Sequence, residues 1–139
     1  MLLNLIYSDS MDGIMGVNND LYCKIKSDLR MFQKITSTKF NNSENIIIMG
    51  YNTWKSIKEP LKNRTNIVIS KNHYDEMCEV NGVSCFQTLE ECFESIKDTK
   101  YGKIFIIGGA YLFSEIIKHY FDSIDLVYQT QIIDEVNNF

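Results

Sequence analysis

The sequence has little of several things, and each shortage narrows the reading. It contains one proline, Pro60, and one alanine, Ala110. A proline-rich linker or low-complexity spacer is therefore absent from these 139 residues. Positive charge is in deficit, with 14 basic against 18 acidic residues and a net charge of -4. A general nucleic-acid binder needs a basic surplus, so that class is set aside, although local cations still allow small anionic substrates. The four cysteines, Cys23, Cys78, Cys85 and Cys92, form no Cys-x-x-Cys pair, and only His73 and His119 are available to join them. Buried free thiols in a reducing compartment fit better than a zinc site. No apolar run approaches the length of a membrane span, and no basic segment followed by an apolar stretch marks a leader. The expectation is a cytoplasmic protein with no membrane and no nucleic-acid partner.

What is present describes a globule. Hydrophobic residues make up 45% and charged residues 23%, which is incompatible with a disordered chain. A chain of this length forms one domain, residues 1–139, and buries roughly two-thirds of its extended surface. Isoleucine and asparagine are heavily used. A skewed codon bias produces that, so individual Ile and Asn residues carry little meaning at this level.

The order of elements follows from periodicity. Leu2 to Ser8 is apolar and predicts a buried strand. Gly13, Gly16 and Asn18-Asn19-Asp20 predict a loop. From Lys24 to about Ser37 the positions Ile25, Asp28, Phe32 and Ile35 fall on one helical face. Asn45 to Met49 is a second strand, and a short helix over Asn52 to Ile57 precedes Pro60. Thr65–Ser70, Val83–Phe86 and Lys103–Ile107 are further strands. Thr88-x-x-Glu91 predicts a capping box on a helix reaching about Asp98. Gly108-Gly109 leads into a helix from Ala110 to about Phe121, and Ile124 to Ile133 is a final strand. Strands that are apolar throughout and alternate with helices predict a three-layer α/β fold. Its central sheet is mostly parallel, with helices on both faces.

Four features carry chemistry. Asp28 sits among apolar residues on its helix face, where a carboxylate is costly unless hydrogen-bonded. It serves either the helix's own amides and dipole, or a ligand with an amidine-like edge. Met49-Gly50 and Ile107-Gly108-Gly109 each end a strand in glycine before a helix. Such ends present backbone amides to phosphate, although neither matches a full dinucleotide fingerprint. Each alone reads as a plain strand-to-helix turn; their recurrence in one sheet raises a dinucleotide above chance. Arg64 is either a solvated arginine or a planar fork for a substrate carboxylate. Thr130, in an apolar strand, is either a β-favoured residue or a partner for a buried carboxylate.

In this order, several segments resemble the dihydrofolate reductase family over essentially the whole chain. They are Asp28-Leu29-Arg30-Met31-Phe32, Ile48-Met49-Gly50-Tyr51-Asn52-Thr53-Trp54-Lys55-Ser56-Ile57, Pro60-Leu61-Lys62-Asn63-Arg64, Asn66-Ile67-Val68-Ile69-Ser70, Ile107-Gly108-Gly109 and Tyr128-Gln129-Thr130. Phe32-Gln33-Lys34-Ile35-Thr36 and the loop after it look eukaryotic-like. The resemblance implies NADPH-dependent reduction of 7,8-dihydrofolate to tetrahydrofolate, in support of thymidylate and one-carbon metabolism. It implies that Asp28 holds the amino-pyrimidine edge with support from Thr130, and that Leu21 belongs to a mobile loop over the nicotinamide. Ile6, Tyr7, Phe32, Ile57, Leu61, Arg64 and Ile107 complete the implied folate site, with Arg64 on the α-carboxylate. The implied cofactor positions are Ser8, Met15, Gly50, Tyr51, Asn52, Thr53, Ser70, Lys71, Ile107, Gly108, Gly109, Ala110, Tyr111, Leu112 and Phe113. Implied partners are dihydrofolate or an antifolate, and a fused or separate thymidylate synthase.

The chain also departs from the family's pattern. Tyr22-Cys23 stands where Pro-Trp is usual, and Tyr7-Ser8 where residues are usually small and apolar. Tyr7 is therefore expected to crowd or narrow the pocket. Tyr51 and Gln87 stand where basic residues are common beside the 2'-phosphate, leaving Lys71 as the main cation there. The chain stops at Phe139, soon after Thr130, so the reductase domain is expected to lack the family's C-terminal hairpin. Two other readings accompany the reductase. One is a degenerate relative that binds a nucleotide or a protein. The other is a pyrimidine reductase acting on a ribityl-phosphate substrate.

Overall fold

The computed structural model describes residues 1–8 and 26–130, with the side chains of residues 8, 26–29, 129 and 130 outside that description. Six strands form one sheet: β1 (Leu3–Ser8), β2 (Asn45–Gly50), β3 (Arg64–Ile69), β4 (Val83–Phe86), β5 (Ile104–Gly108) and β6 (Ile124–Thr130). Their order is β4-β3-β2-β5-β1-β6, and every pairing is parallel. The helices are α1 (Lys26–Ser37), α2 (Tyr51–Ile57), α3 (Tyr74–Met77), α4 (Leu89–Ile96) and α5 (Ala110–His119).

Strand alternation divides the core in two. Leu3, Leu5, Ile46, Ile48, Ile67, Ile104 and Ile106 face α4 and α5, packing on Leu89, Cys92, Phe93, Ile96, Leu112 and Ile116. The alternate positions Ile6, Ile47, Met49, Val68, Phe105 and Ile107 face the other way, onto Trp54, Met77, Phe32 and Ile35. Both faces of the sheet are covered, so its strands read as near-continuous apolar runs. Each fully buried isoleucine contributes roughly 1.5–3 kcal/mol. The three-layer expectation therefore holds, and the sheet is parallel throughout rather than mostly so.

Some boundaries move. The helix after Gly109 ends at His119, not Phe121, because Phe121–Ser123 tightens into a 3-10 turn before β6. Tyr74–Met77 is a helix that the sequence did not announce; four residues are too few to show a period. The Thr88 cap is present, its Oγ1 accepting from Glu91 N at 3.1 Å, and Glu91 Oε2 in turn accepts weakly from Gln87 N rather than from Thr88. The loop over Gly13 to Asp20 and strand positions beyond Thr130 lie outside the described residues. Cys85 and Cys92 are buried free thiols, and desolvation pushes their pKa up to about 11 and about 12; Cys78, against the expectation of burial, is an exposed free thiol, and Cys23 lies outside the described residues. Among the described residues no group of three or more His, Cys, Asp or Glu is placed to hold a metal. No described helix is long and apolar enough to cross a membrane.

Candidate active site

The sheet's C-terminal edge gathers the candidate cofactor residues, whereas Arg64 starts β3 opposite Asn45, at the other end of the strands. Met49 pairs with Gly108 across β2 and β5, after a register shift at Ile48/Met49. That shift brings the two glycine turns together. A Cβ on Gly50 would lie 3.7 Å from Gly109 N, and one on Gly108 would lie 3.3 Å from Thr53 Oγ1. Gly108 has φ +129, a conformation that side chains resist. The Gly108–Gly109 peptide is cis.

Gly109 then caps α5 without a side-chain hydrogen bond. Phe113 N closes the first helical turn on Gly109 O at 3.1 Å. The N–H groups of Ala110, Tyr111 and Leu112 thus have no intrahelical acceptor. They open onto a groove of about 1360 Å³. Gly50, Tyr51, Asn52, Thr53, Ser70, Lys71, Gly109, Ala110, Tyr111, Leu112 and Phe113 line it, all named by the sequence reading. Ser8 and Met15 were named too; the side chain of Ser8 and all of Met15 lie outside the described residues.

One groove residue acquires partners the sequence did not reveal. Tyr51 stacks on His73, with centroids 3.7 Å apart and planes within 5°. Its hydroxyl donates to Glu76 Oε2 at 2.7 Å, and that bond is the main cause of its raised pKa. Lys71 is the one lysine or arginine among the described residues lining the groove, beside Gln87, Glu90 and Glu115. A second ammonium stands close by, Lys55 Nζ lying 5.6 Å from the centroid of the Tyr51 ring.

The second face holds the apolar residues. Ile6 and Ile107 are buried in one cluster, and Phe32, Ile57 and Leu61 pack against it half-buried. Tyr7 is half-buried, its ring 5.8 Å from Phe113 of the groove. Ile107 belongs to this cluster while Gly109, two residues on, lines the groove. The end of β5 is thus the seam between the groove and the apolar cluster.

Arg64 begins β3 beside that cluster, and it is buried, with 6% exposure. The solvated-arginine alternative is overturned. Nε donates to Lys62 O at 2.8 Å and Nη1 to Thr36 Oγ1 at 3.0 Å. Those bonds take two of a guanidinium's five N–H groups. Burial alone pushes its pKa down, and no carboxylate pairs with it among the described residues. A buried charge without a counter-ion is costly, so the geometry suits an incoming anion.

Asp28 lies in the first turn of α1, and Thr130 ends β6 opposite Ser8 of β1. Their side chains, and all of Leu21, lie outside the described residues. The sequence reading missed Thr36, Asn45 and Asn66, which are buried polar residues around Arg64. Asparagine within a strand is disfavoured, and that was the available signal. The chain's general excess of asparagine masked it.

The dihydrofolate reductase family model matches residues 2–138. The chain is 34% identical to dihydrofolate reductase of Schistosoma mansoni, with 99% of this chain and 75% of that protein covered. It is 31% identical to dihydrofolate reductase of Haemophilus influenzae, covering 99% of this chain and 76% of that one. A bifunctional dihydrofolate reductase-thymidylate synthase of Paramecium tetraurelia is 35% identical, over 81% of this chain and 22% of its own length. The solved structure of the Schistosoma mansoni enzyme superposes with a TM-score of 0.76 at 28% identity, covering 94% of this chain and 73% of that one. The chain belongs to the dihydrofolate reductase family of oxidoreductases.

Proposed function

We propose that this chain reduces 7,8-dihydrofolate to 5,6,7,8-tetrahydrofolate at the expense of NADPH. Residues 1–139 act as one reductase domain in the cytoplasm, in support of thymidylate and one-carbon metabolism. The observation that carries the reading is the seam at the end of β5, where the groove and the apolar cluster adjoin within Ile107–Gly109. A hydride donor in the groove and an acceptor ring against the cluster would meet there.

The groove fits a dinucleotide on its own terms. It combines the free amides of α5 with a glycine seam that a side chain on Gly108 would crowd. Gly50, Thr53, Gly108, Gly109 and Ala110 to Phe113 would hold the phosphates and nicotinamide, and Tyr51, Asn52, Ser70 and Lys71 the adenosine end. The cofactor supplies a hydride; the protein supplies position and dryness. Asp28 accepts N–H bonds from the amino-pyrimidine edge and favours the protonated ring nitrogen, so that C=N becomes CH–NH once hydride and proton have added. Thr130 braces that carboxylate. Ile6, Phe32, Ile57, Leu61 and Ile107 exclude water from the ring, beside Tyr7. Arg64 pairs with the α-carboxylate. Leu21, implied for the loop over the nicotinamide, and Met15, implied for the cofactor, lie outside the described residues. The bifunctional relatives support a thymidylate synthase, fused or separate, as a partner.

Calorimetry tests the two halves separately. NADPH should bind, and a diaminopyrimidine antifolate should bind tightly to the NADPH complex. Asp28→Asn should weaken the antifolate by roughly 10²-fold or more, as expected for a charge-assisted bidentate pair of about 3 kcal/mol, and leave NADPH affinity nearly unchanged. Antifolate binding indifferent to Asp28 would reject the assignment of that residue.

A further inference from the structure

Beneath the apolar cluster lies a connected run of buried polar side chains that the proposed reaction does not use directly. Asn45 is 1% exposed, Thr36 0% and Asn66 3%. Asn45 Oδ1 accepts from Lys103 N at 2.8 Å, and its Nδ2 donates to Thr36 O at 2.9 Å and Thr38 O at 2.8 Å. Gly102 makes room for this, since a Cβ there would collide with Asn45 Oδ1. The C-terminal end of α1 is thereby pinned to the start of β5.

The run continues to Arg64. Thr36 Oγ1 donates its proton to Phe32 O at 2.8 Å, which leaves its lone pairs to accept from Arg64 Nη1. On the far side, Asn66 Nδ2 donates to Arg64 O at 3.0 Å and Leu61 O at 2.9 Å, while its Oδ1 accepts from Leu61 N at 2.9 Å. One asparagine side chain therefore shapes the loop that presents both Leu61 and Arg64.

We infer that Thr36 and Asn66 are positioning residues for Arg64, Thr36 holding its guanidinium and Asn66 the backbone from which it projects. The inference rests on Arg64 binding the substrate carboxylate. A long, flexible arginine has many rotamers, and a buried one loses its hydration wherever it points. Two anchors on the guanidinium, Lys62 O and Thr36 Oγ1, restrict it to one orientation, with three N–H groups, including both on Nη2, not taken up by any described residue. The fork is then ready before the ligand arrives, and less ordering cost falls on binding. A purely structural role for Thr36 predicts something different: lower stability with no preference among ligands.

The test compares dihydrofolate with a methyl-dihydropterin that keeps the ring and lacks the carboxylate tail. Thr36→Val preserves shape and removes the hydroxyl. It should raise KM for dihydrofolate roughly tenfold, with kcat and the KM for the pterin nearly unchanged. Thr36→Ser should restore the wild-type ratio. In an Arg64→Leu background, Thr36→Val should change the ratio no further. If the valine variant folds poorly, Thr36→Ala gives the same comparison on the folded fraction. Equal losses for both ligands, or no loss for either, would overturn the inference. Should Arg64→Leu itself leave the ratio untouched, the carboxylate-clamp reading fails instead. If only the Thr36 variants leave it untouched, the clamp stands and the positioning role is rejected.

Discussion

Arg64→Leu should raise KM for dihydrofolate by two to four orders of magnitude while barely changing turnover of a tail-less dihydropterin. The guanidinium is 6% exposed and has no carboxylate partner among the described residues. Its three remaining N–H groups suffice for the two parallel bonds of a bidentate carboxylate. Hydrogen bonds to charged groups contribute about 1.5–3 kcal/mol each, so two of them amount to about 3–6 kcal/mol, or roughly 10²–10⁴-fold. Stability should behave in the opposite sense to binding. Leucine removes a buried charge that has no carboxylate partner among the described residues, and with it the cost of keeping that charge out of water. Thr36 Oγ1 keeps its bond to Phe32 O, and Lys62 is exposed, so its carbonyl can hydrate. A melting temperature at or above the wild-type value, together with a large rise in KM, is the expected pair. A large fall in melting temperature with equal losses for both substrates would assign Arg64 to the scaffold alone.

Gly108→Ala should damage both the fold and NADPH binding, and Gly50→Ala should not damage the fold. The two glycines face each other across the seam, and they differ in backbone. Gly108 has φ +129, and its added Cβ would sit 3.3 Å from Thr53 Oγ1. Gly50 has φ -84, and its added Cβ would meet Gly109 N at an ordinary 3.7 Å. A residue forced into such a conformation costs about 1–3 kcal/mol. For a domain of this size that lowers the melting temperature by roughly 3–10 °C. Thr53, which lines the groove, must also give way, whereas Phe113 would meet the new methyl at an ordinary 3.9 Å. NADPH affinity, followed through the single tryptophan Trp54, should therefore fall by at least tenfold in Gly108→Ala. Gly50→Ala should melt within a few degrees of wild type, so any loss of NADPH affinity there would come from the groove surface. Similar melting temperatures for the two variants would contradict the backbone argument.

Much of this arrangement was legible in the residues. Ile46–Met49 and Ile104–Ile107 are apolar at every position because both sheet faces are covered, and a doubly buried strand has no polar side to show. The glycine turns at Gly50 and Gly108-Gly109 were readable because each ends such a strand. Their meeting was not: β5 lies beside β2 only through the sheet order, which no local pattern encodes. Arg64 suited solvent better than a ligand as read from its neighbours, since a turn precedes it, and only tertiary packing buries it. Asn45 and Asn66 were hidden by composition. In a chain rich in asparagine, two more within strands look like drift. A composition bias does have local uses here: Asn41 and Asn42 adopt φ +54 and +63 in the tight turn closed by Phe40 and Ser43. The Tyr51–His73–Glu76 group depends on α3, a four-residue helix with no periodic signature.

Everything about the reaction depends on a hydride donor in the groove and a folate ring on the apolar cluster sharing the end of β5. The most direct test mixes the NADPH-loaded protein with dihydrofolate and follows NADPH absorbance through a single turnover. One NADPH should be consumed for each dihydrofolate reduced, with no loss when either ligand is omitted. A folded sample that binds both ligands at once and still consumes no NADPH would contradict the account.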